Sequence, residues 1–243
     1  MRSFLTAAAA LTAAAIAGSL VYATLFSDTD TLWQTAVVSV FSVLAPNVLL
    51  VRLLCGKPTA CAPAENYSRF ELPAYCFVTV AAASIAGEVN ALFTKGAAAN
   101  VPHSAADIAA LAVYTLVLAP LAEEYVFRGC IMSCLKPHGT KLAVVVQAVL
   151  FALYHADVSK LGYTFMLGLF LGVTAVRSGS LWASMAVHIF NNILAMVIPL
   201  LPSAGILPDI IITLCAAAGM ILLTVQKRLY LPESKGDTNG TKL

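Results

Sequence analysis

The chain is short of charge. Only 11% of its 243 residues are Asp, Glu, Lys or Arg, and 60% are hydrophobic, whereas an average soluble domain carries about 25% charged residues. Together with a mean hydropathy of +0.88, this excludes a soluble globular protein. No long hydrophilic stretch is present either, so a separate soluble domain has no room. None of the six cysteines forms a CxxC pair, which removes both a redox motif and a thiolate zinc site. HExxH, Gly-x-Ser-x-Gly and a pair of membrane aspartates are absent too, which removes three common protease designs. A net charge of +2 implies no nucleic-acid partner.

What is present is apolar length. Hydrophobic runs lie near 4–26, 32–54, 72–93, 106–134, 141–156, 160–176, 180–198 and 207–226, and about 20 residues of helix cross a bilayer. They predict an all-α fold, a polytopic membrane bundle of about eight transmembrane helices whose fifth and sixth members are short. Basic residues flanking spans stay on the cytoplasmic side. With both termini cytoplasmic, Arg2, Arg52, Lys57, Arg69, Lys136, Lys141, Arg177, Lys227, Arg228, Lys235 and Lys242 fall there, and only Lys95 and Lys160 fall outside. Residues 1–26 read as a retained helix, being longer than the apolar core of a signal peptide; a cleaved signal is the alternative.

The loop from Cys55 to Glu71 divides an N-terminal hairpin and loop (1–71) from a membrane-embedded core (72–231). A polar tail (232–243) is expected to be disordered. The cysteines read as reduced packing residues, Cys55 and Cys61 in the cytoplasmic loop and Cys76, Cys130, Cys134 and Cys215 in or near spans. Glu88 reads as interfacial, and Asp209 after Pro208 as a helix N-terminus. Gly168 and Gly172 form a GxxxG, read as a packing face.

Polar chemistry interrupts three of the apolar runs: Glu123-Glu124-Tyr125-Val126-Phe127-Arg128, Phe151 to His155, and His188 to Asn192. Ionisable groups in hydrocarbon are costly, which makes each a candidate functional site. Neighbours on a helix are rotated by about 100°, so Glu123 and Glu124 cannot do the same job. Glu124 is the i, i+4 neighbour of Arg128 and is expected to pair with it. Glu123 is left without that partner, and desolvation is expected to raise its pKa toward that of a general base. Phe151 shares a face with His155 and His188 with Asn192, the latter a donor pair suited to an oxyanion. Pro120, one turn before Glu123, predicts a kink.

Taken in order, Glu-Glu-x-x-x-Arg, Phe-x-x-x-His and His-x-x-x-Asn resemble the CPBP (Abi) family over about residues 106–198. That family includes type II CAAX prenyl endopeptidases and bacterial bacteriocin-processing and self-immunity proteins. The resemblance implies an intramembrane endopeptidase in which Glu123 activates a water, His155 holds it, and His188 with Asn192 stabilises the oxyanion. Glu124, Arg128 and Phe151 would support them. No cofactor is favoured; the alternative is a zinc or other divalent-metal enzyme with Glu123, His155 and His188 as ligands. The implied partner is a membrane protein or peptide substrate, prenylated or not, in a bacterial inner membrane or the endoplasmic reticulum. Two other classes compete. One is a non-catalytic immunity or binding protein of the Abi type, the other a proton-coupled transporter, which lacks its expected pair of interrupted helices.

Overall fold

The computed structural model describes residues 2–25, 44–59, 63–65, 67–68, 70–94, 105–198 and 207–230. Cys61, Arg69, Lys95, the polar tail and the first part of the second apolar run lie outside the described residues. The described residues form eight helices and no strand: α1 (Arg2–Leu25), α2 (Ala45–Cys55), α3 (Glu71–Ala91), α4 (Ala105–His138), α5 (Thr140–Tyr154), α6 (Val158–Ser178), α7 (Leu181–Val197) and α8 (Leu207–Tyr230). Among them α3, α4 and α6 are long and apolar enough to cross a membrane, and the rest include shorter apolar helices. The sixth apolar run, expected to be short, spans 21 residues as α6.

Its polarity is inverted relative to a soluble protein. Glu71, Glu124, Arg128, Gln147, Ser184 and His188 are buried, while Leu53, Phe93 and Trp182 are 76%, 82% and 73% exposed. Large exposed apolar side chains are tolerable where the surroundings are lipid. Trp182, at the start of α7, suits a membrane interface.

Successive helices run in opposite directions, which divides the molecule into two ends. One collects the α2 C-terminus, the α3 N-terminus, the α4–α5 and α6–α7 turns, and with them Arg52, Lys57, Lys136, Lys141 and Arg177. The other collects the α3 C-terminus and the α5–α6 turn, joined where Asn90 Nδ2 donates to Val158 O and Ser159 O. Glycine makes two turns at the basic end: Gly139 (φ 113°) between α4 and α5, and Gly179 (φ 65°) capping α6, conformations that a Cβ disfavours. The segment before α3 is pinned there as well. Arg177 clamps the buried Glu71 through Nη2 (2.7 Å) and Nε (3.0 Å), and Ala64 N donates to Arg177 O.

Pro120 does not act alone in shaping α4. The helix is π-helical over Tyr114–Leu118 and Glu124–Ile131, with a short α-helical stretch carrying Pro120 between them. Proline cannot donate to the carbonyl four residues back, and a wider turn just before it relieves that mismatch. No residue pattern signals the second π stretch, which carries Glu124 and Arg128.

The GxxxG on α6 faces α5. A Cβ on Gly168 would stand 3.1 Å from both Ala148 Cα and Phe151 Cδ1, and one on Gly172 would stand 2.5 Å from Gln147 Nε2. A side chain at either position would require its neighbours on α5 to shift. α1 and α2 share one apolar core with the motif helices, since Ala7, Ala10, Leu11 and Val51 cluster with Phe127, Phe151 and Leu171. Cys55, Cys76, Cys130, Cys134 and Cys215 form no disulfide among the described residues.

Candidate active site

A cavity of about 1430 Å³ lies between α1, α4, α5, α6 and α7, and Glu123, His155, His188 and Asn192 all line it. The four come from three helices, and helical spacing places each where it can reach the same space. Glu123 is mostly buried, and its Oε2 lies 3.8 Å from His188 Nε2, beyond direct hydrogen bonding. Neither atom is engaged by the other, so both remain available to a third group in the cavity.

His188 is anchored by its other nitrogen. Nδ1 lies 2.8 Å from Glu124 Oε1, and a carboxylate only accepts, so the proton sits on Nδ1. Nε2 is then the nitrogen presented to Glu123 and the cavity. His155 repeats the arrangement: its Nδ1 lies 2.8 Å from the carbonyl of Phe151, which again fixes the proton on Nδ1 and frees Nε2. His155 also ends α5, where the next residue, Ala156, adopts φ 50°. A left-handed alanine costs about 1–2 kcal/mol, strain held directly beside a cavity-lining imidazole.

Below the cavity lies a closed polar layer. Glu124 is fully buried; its Oε1 accepts from Arg128 Nη1 (2.9 Å) and from His188, and its Oε2 from Ser184 Oγ (2.5 Å). Arg128 Nη2 also donates to Gly168 O (3.2 Å), an acceptor shared with Gln147 Nε2 (2.8 Å). The bare approach of α6 at Gly168 thus opens a backbone carbonyl to two buried donors. Most sites of this buried pair are filled, as its stability requires, while Arg128 Nε is buried without a hydrogen-bond partner.

Phe151 packs beside this layer and touches both imidazoles. Its ring lies 4.7 Å from His155 and 6.0 Å from His188, with Phe127 edge-on at 5.1 Å and the Arg128 guanidinium carbon at 4.4 Å. A cation against an aromatic face and edge contacts to imidazoles are both favourable. Asn192 Nδ2 donates to Thr115 O (2.9 Å) in the first π stretch of α4. A primary amide has two N–H donors, so one is left for the cavity.

Sequence reasoning passed over several residues of this region. Ser184 is the i−4 neighbour of His188, and that spacing alone could have marked it. Asn47, which donates to Tyr154 Oη (2.9 Å), and Tyr163, which accepts from Asn191 (2.6 Å), support the cavity walls from other elements. Nothing in their local sequence signals it. α1 contributes wall residues such as Thr12 and Ser19 although it carries none of the motifs.

The donor set for a metal is not assembled. Among the described residues no three His, Cys, Asp or Glu side chains stand so as to hold one ion, although the Nδ1 bonds of both imidazoles leave Nε2 free, as they would in a metal ligand. Glu123, His155 and His188 share a cavity without forming a ligand triangle.

No curated protein and no solved structure matches the chain. The family model described as type II CAAX prenyl endopeptidase Rce1-like matches residues 105–194, the segment that runs from α4 into α7 and contains every motif residue lining the cavity. Family and apolar helices together make this an integral membrane protein. Over residues 105–194, less than half of its length, the chain is thus similar to the Rce1-like type II CAAX prenyl endopeptidases.

Proposed function

We propose that the protein is a glutamate-dependent intramembrane endopeptidase, spanning the membrane as an eight-helix bundle with both termini cytoplasmic. It hydrolyses a peptide bond of a membrane-associated protein or peptide. The observation that carries this reading is the Glu123–His188 pair: a carboxylate and an imidazole nitrogen 3.8 Å apart, unbonded to each other, in a cavity also lined by His155 and Asn192.

In this mechanism Glu123 takes a proton from a water that attacks the scissile carbonyl, then delivers it to the departing amine. His155, held by the Phe151 carbonyl, orients that water through Nε2. The developing oxyanion is met by the free N–H of Asn192 and by His188, whose imidazolium form is matched by the Glu124 carboxylate behind it. Glu124, Arg128, Ser184 and Phe151 act on the reaction only through His188 and His155, as positioning residues.

Cleavage of a quenched-fluorescent peptide library by purified protein in lipid nanodiscs, with product mass spectrometry, tests the reading. Glu123→Gln and His155→Ala should each lower cleavage by about 10²-fold or more while the protein still inserts and melts normally. If both variants retain the protein's effect in cells, the fold serves a non-catalytic binding or immunity role instead.

A further inference from the structure

The side-chain amide of Asn192 is held at both ends. In α4 the Ala119 N–H reaches back to Tyr114 O, the wide register of a π turn. The next carbonyl in that register, Thr115 O, falls to Pro120, which has no N–H to donate. Asn192 Nδ2 donates to it instead, at 2.9 Å. The proline thus leaves a backbone acceptor in α4 for a side chain of α7.

That bond fixes the sense of the hydrogen bonds beyond it. A carbonyl only accepts, so the Asn192 atom facing Thr115 is nitrogen and the other end of the amide is Oδ1. Oδ1 accepts from Asn191 Nδ2 at 3.3 Å, and the same Nδ2 lies 2.6 Å from Tyr163 Oη. Both N–H groups of the buried Asn191 amide are therefore spent, one on Asn192 and one on Tyr163. The tyrosine oxygen is an acceptor, and its own proton points away from Asn191.

Tyr163, which lines the cavity with Asn192, takes its own place from a third helix. Just before it, Gly162 N donates to Asn90 Oδ1 of α3 at 3.2 Å, and a Cβ on Gly162 would stand 2.7 Å from Ala86 O. Gly87 of α3 admits the tyrosine itself, whose Cβ would stand 3.5 Å from a Cβ there. The packing of α6 on α3 thus sets where the hydroxyl meets α7.

We infer that Tyr163 is a positioning residue of the site. Acting through Asn191, its hydroxyl holds the Asn192 amide in the one rotation that gives Thr115 O one N–H and the cavity the other. Loss of the hydroxyl leaves a buried Asn191 N–H without its acceptor, a penalty the amide escapes by turning, which releases Asn192 Oδ1. The effect on rate rests on the peptidase reading; the relay of hydrogen bonds does not.

Two measurements separate these parts. In the first, kcat and KM for one cleaved peptide are compared among the unsubstituted protein, Tyr163→Phe, Asn192→Ala and the double variant. Tyr163→Phe keeps the ring and should lower kcat about tenfold with KM unchanged. The double variant should be no slower than Asn192→Ala alone, as for residues that act as a unit. A loss that persists in full in the Asn192→Ala background, or one confined to KM, overturns the inference and leaves the peptidase reading standing. In the second, the Asn192 side-chain amide is followed by NMR in protein labelled with isotopic asparagine, its signal assigned as the one that Asn192→Ala removes. Tyr163→Phe should shift that signal, and an unmoved signal overturns the relay. The expected shift with no cleavage by the unsubstituted protein refutes hydrolysis while upholding the relay.

Discussion

Nδ1 of His188 lies 2.8 Å from Oε1 of Glu124, and Nε2 of the same ring lies 3.8 Å from Oε2 of Glu123. One imidazole therefore separates the two adjacent carboxylates, one of them locked and the other free. Their substitutions should part accordingly. Glu124→Gln strips the partner from fully buried Arg128, a loss of about 3–5 kcal/mol for a buried pair, so both melting temperature and cleavage should fall. Glu123→Gln should leave the melting temperature in place and lower kcat by about 10²–10⁴, the range for a general base. Paired thermal melts and kinetics in the same nanodiscs check this; equal destabilisation by both would remove the distinction.

Asn192→Ala should lower kcat by about 10²–10³ with little change in KM, as expected for one oxyanion donor. The variant also loses the bond to Thr115 O, so thermal melts beside the kinetics separate lost packing from lost oxyanion stabilisation. Steady-state kinetics on a single cleaved peptide decide it, and a loss confined to KM would assign Asn192 to substrate binding.

Phe151 has zero exposure and contacts both imidazoles. Truncation to Ala should cost about 3–5 kcal/mol. Phe151→Leu keeps most of the volume and loses the ring faces, so it should remain folded with reduced kcat. Retention of full activity by the leucine variant would confine Phe151 to packing.

Gly172→Ala should destabilise by about 1–3 kcal/mol through overpacking, because its new methyl meets Gln147 Nε2. Gly168→Ala should do the same and additionally reduce activity, since it presses on Phe151 and on the carbonyl that holds Arg128. Denaturant melts alongside cleavage assays test the pair.

At the turn beside His155, hydrogen bonds from Ser159, with Lys160 next, hold the Asp157 carboxyl below its ordinary value. A carboxyl depressed in the folded state contributes order above its unfolded pKa and loses it as pH falls through the folded one. The protection of the Ser159 amide relative to its intrinsic exchange rate, its N–H donating to Asp157 Oδ1 (2.9 Å), should therefore fall on acidification through and below the usual Asp range. Asp157→Asn should flatten that profile.

The i, i+4 rule made several pairings legible in advance. Glu124 with Arg128 and Phe151 with His155 meet as that spacing requires. The shared orientation of His188 and Asn192 likewise followed from their helix, and both line the cavity. Contacts between helices were not legible. That His188 would choose Glu124 for its Nδ1, that Ser184 would complete the acceptor set, and that α1 would furnish a wall all depend on how rods rotate against each other.

The sequence by itself determined the all-helical character, the family likeness of the 105–194 segment and the face that each motif residue shares along its own helix. Those properties follow from hydrophobic length and the 3.6-residue period, both local. Only the tertiary structure decided that His188 stands between the two carboxylates, that Ser184 completes the bonds to Glu124, and that one cavity gathers Glu123, His155, His188 and Asn192. These depend on close packing across helices, set at Gly168 and Gly172 by missing side chains and in α4 by π-helical turns, and neither has a signature that one helix alone can carry.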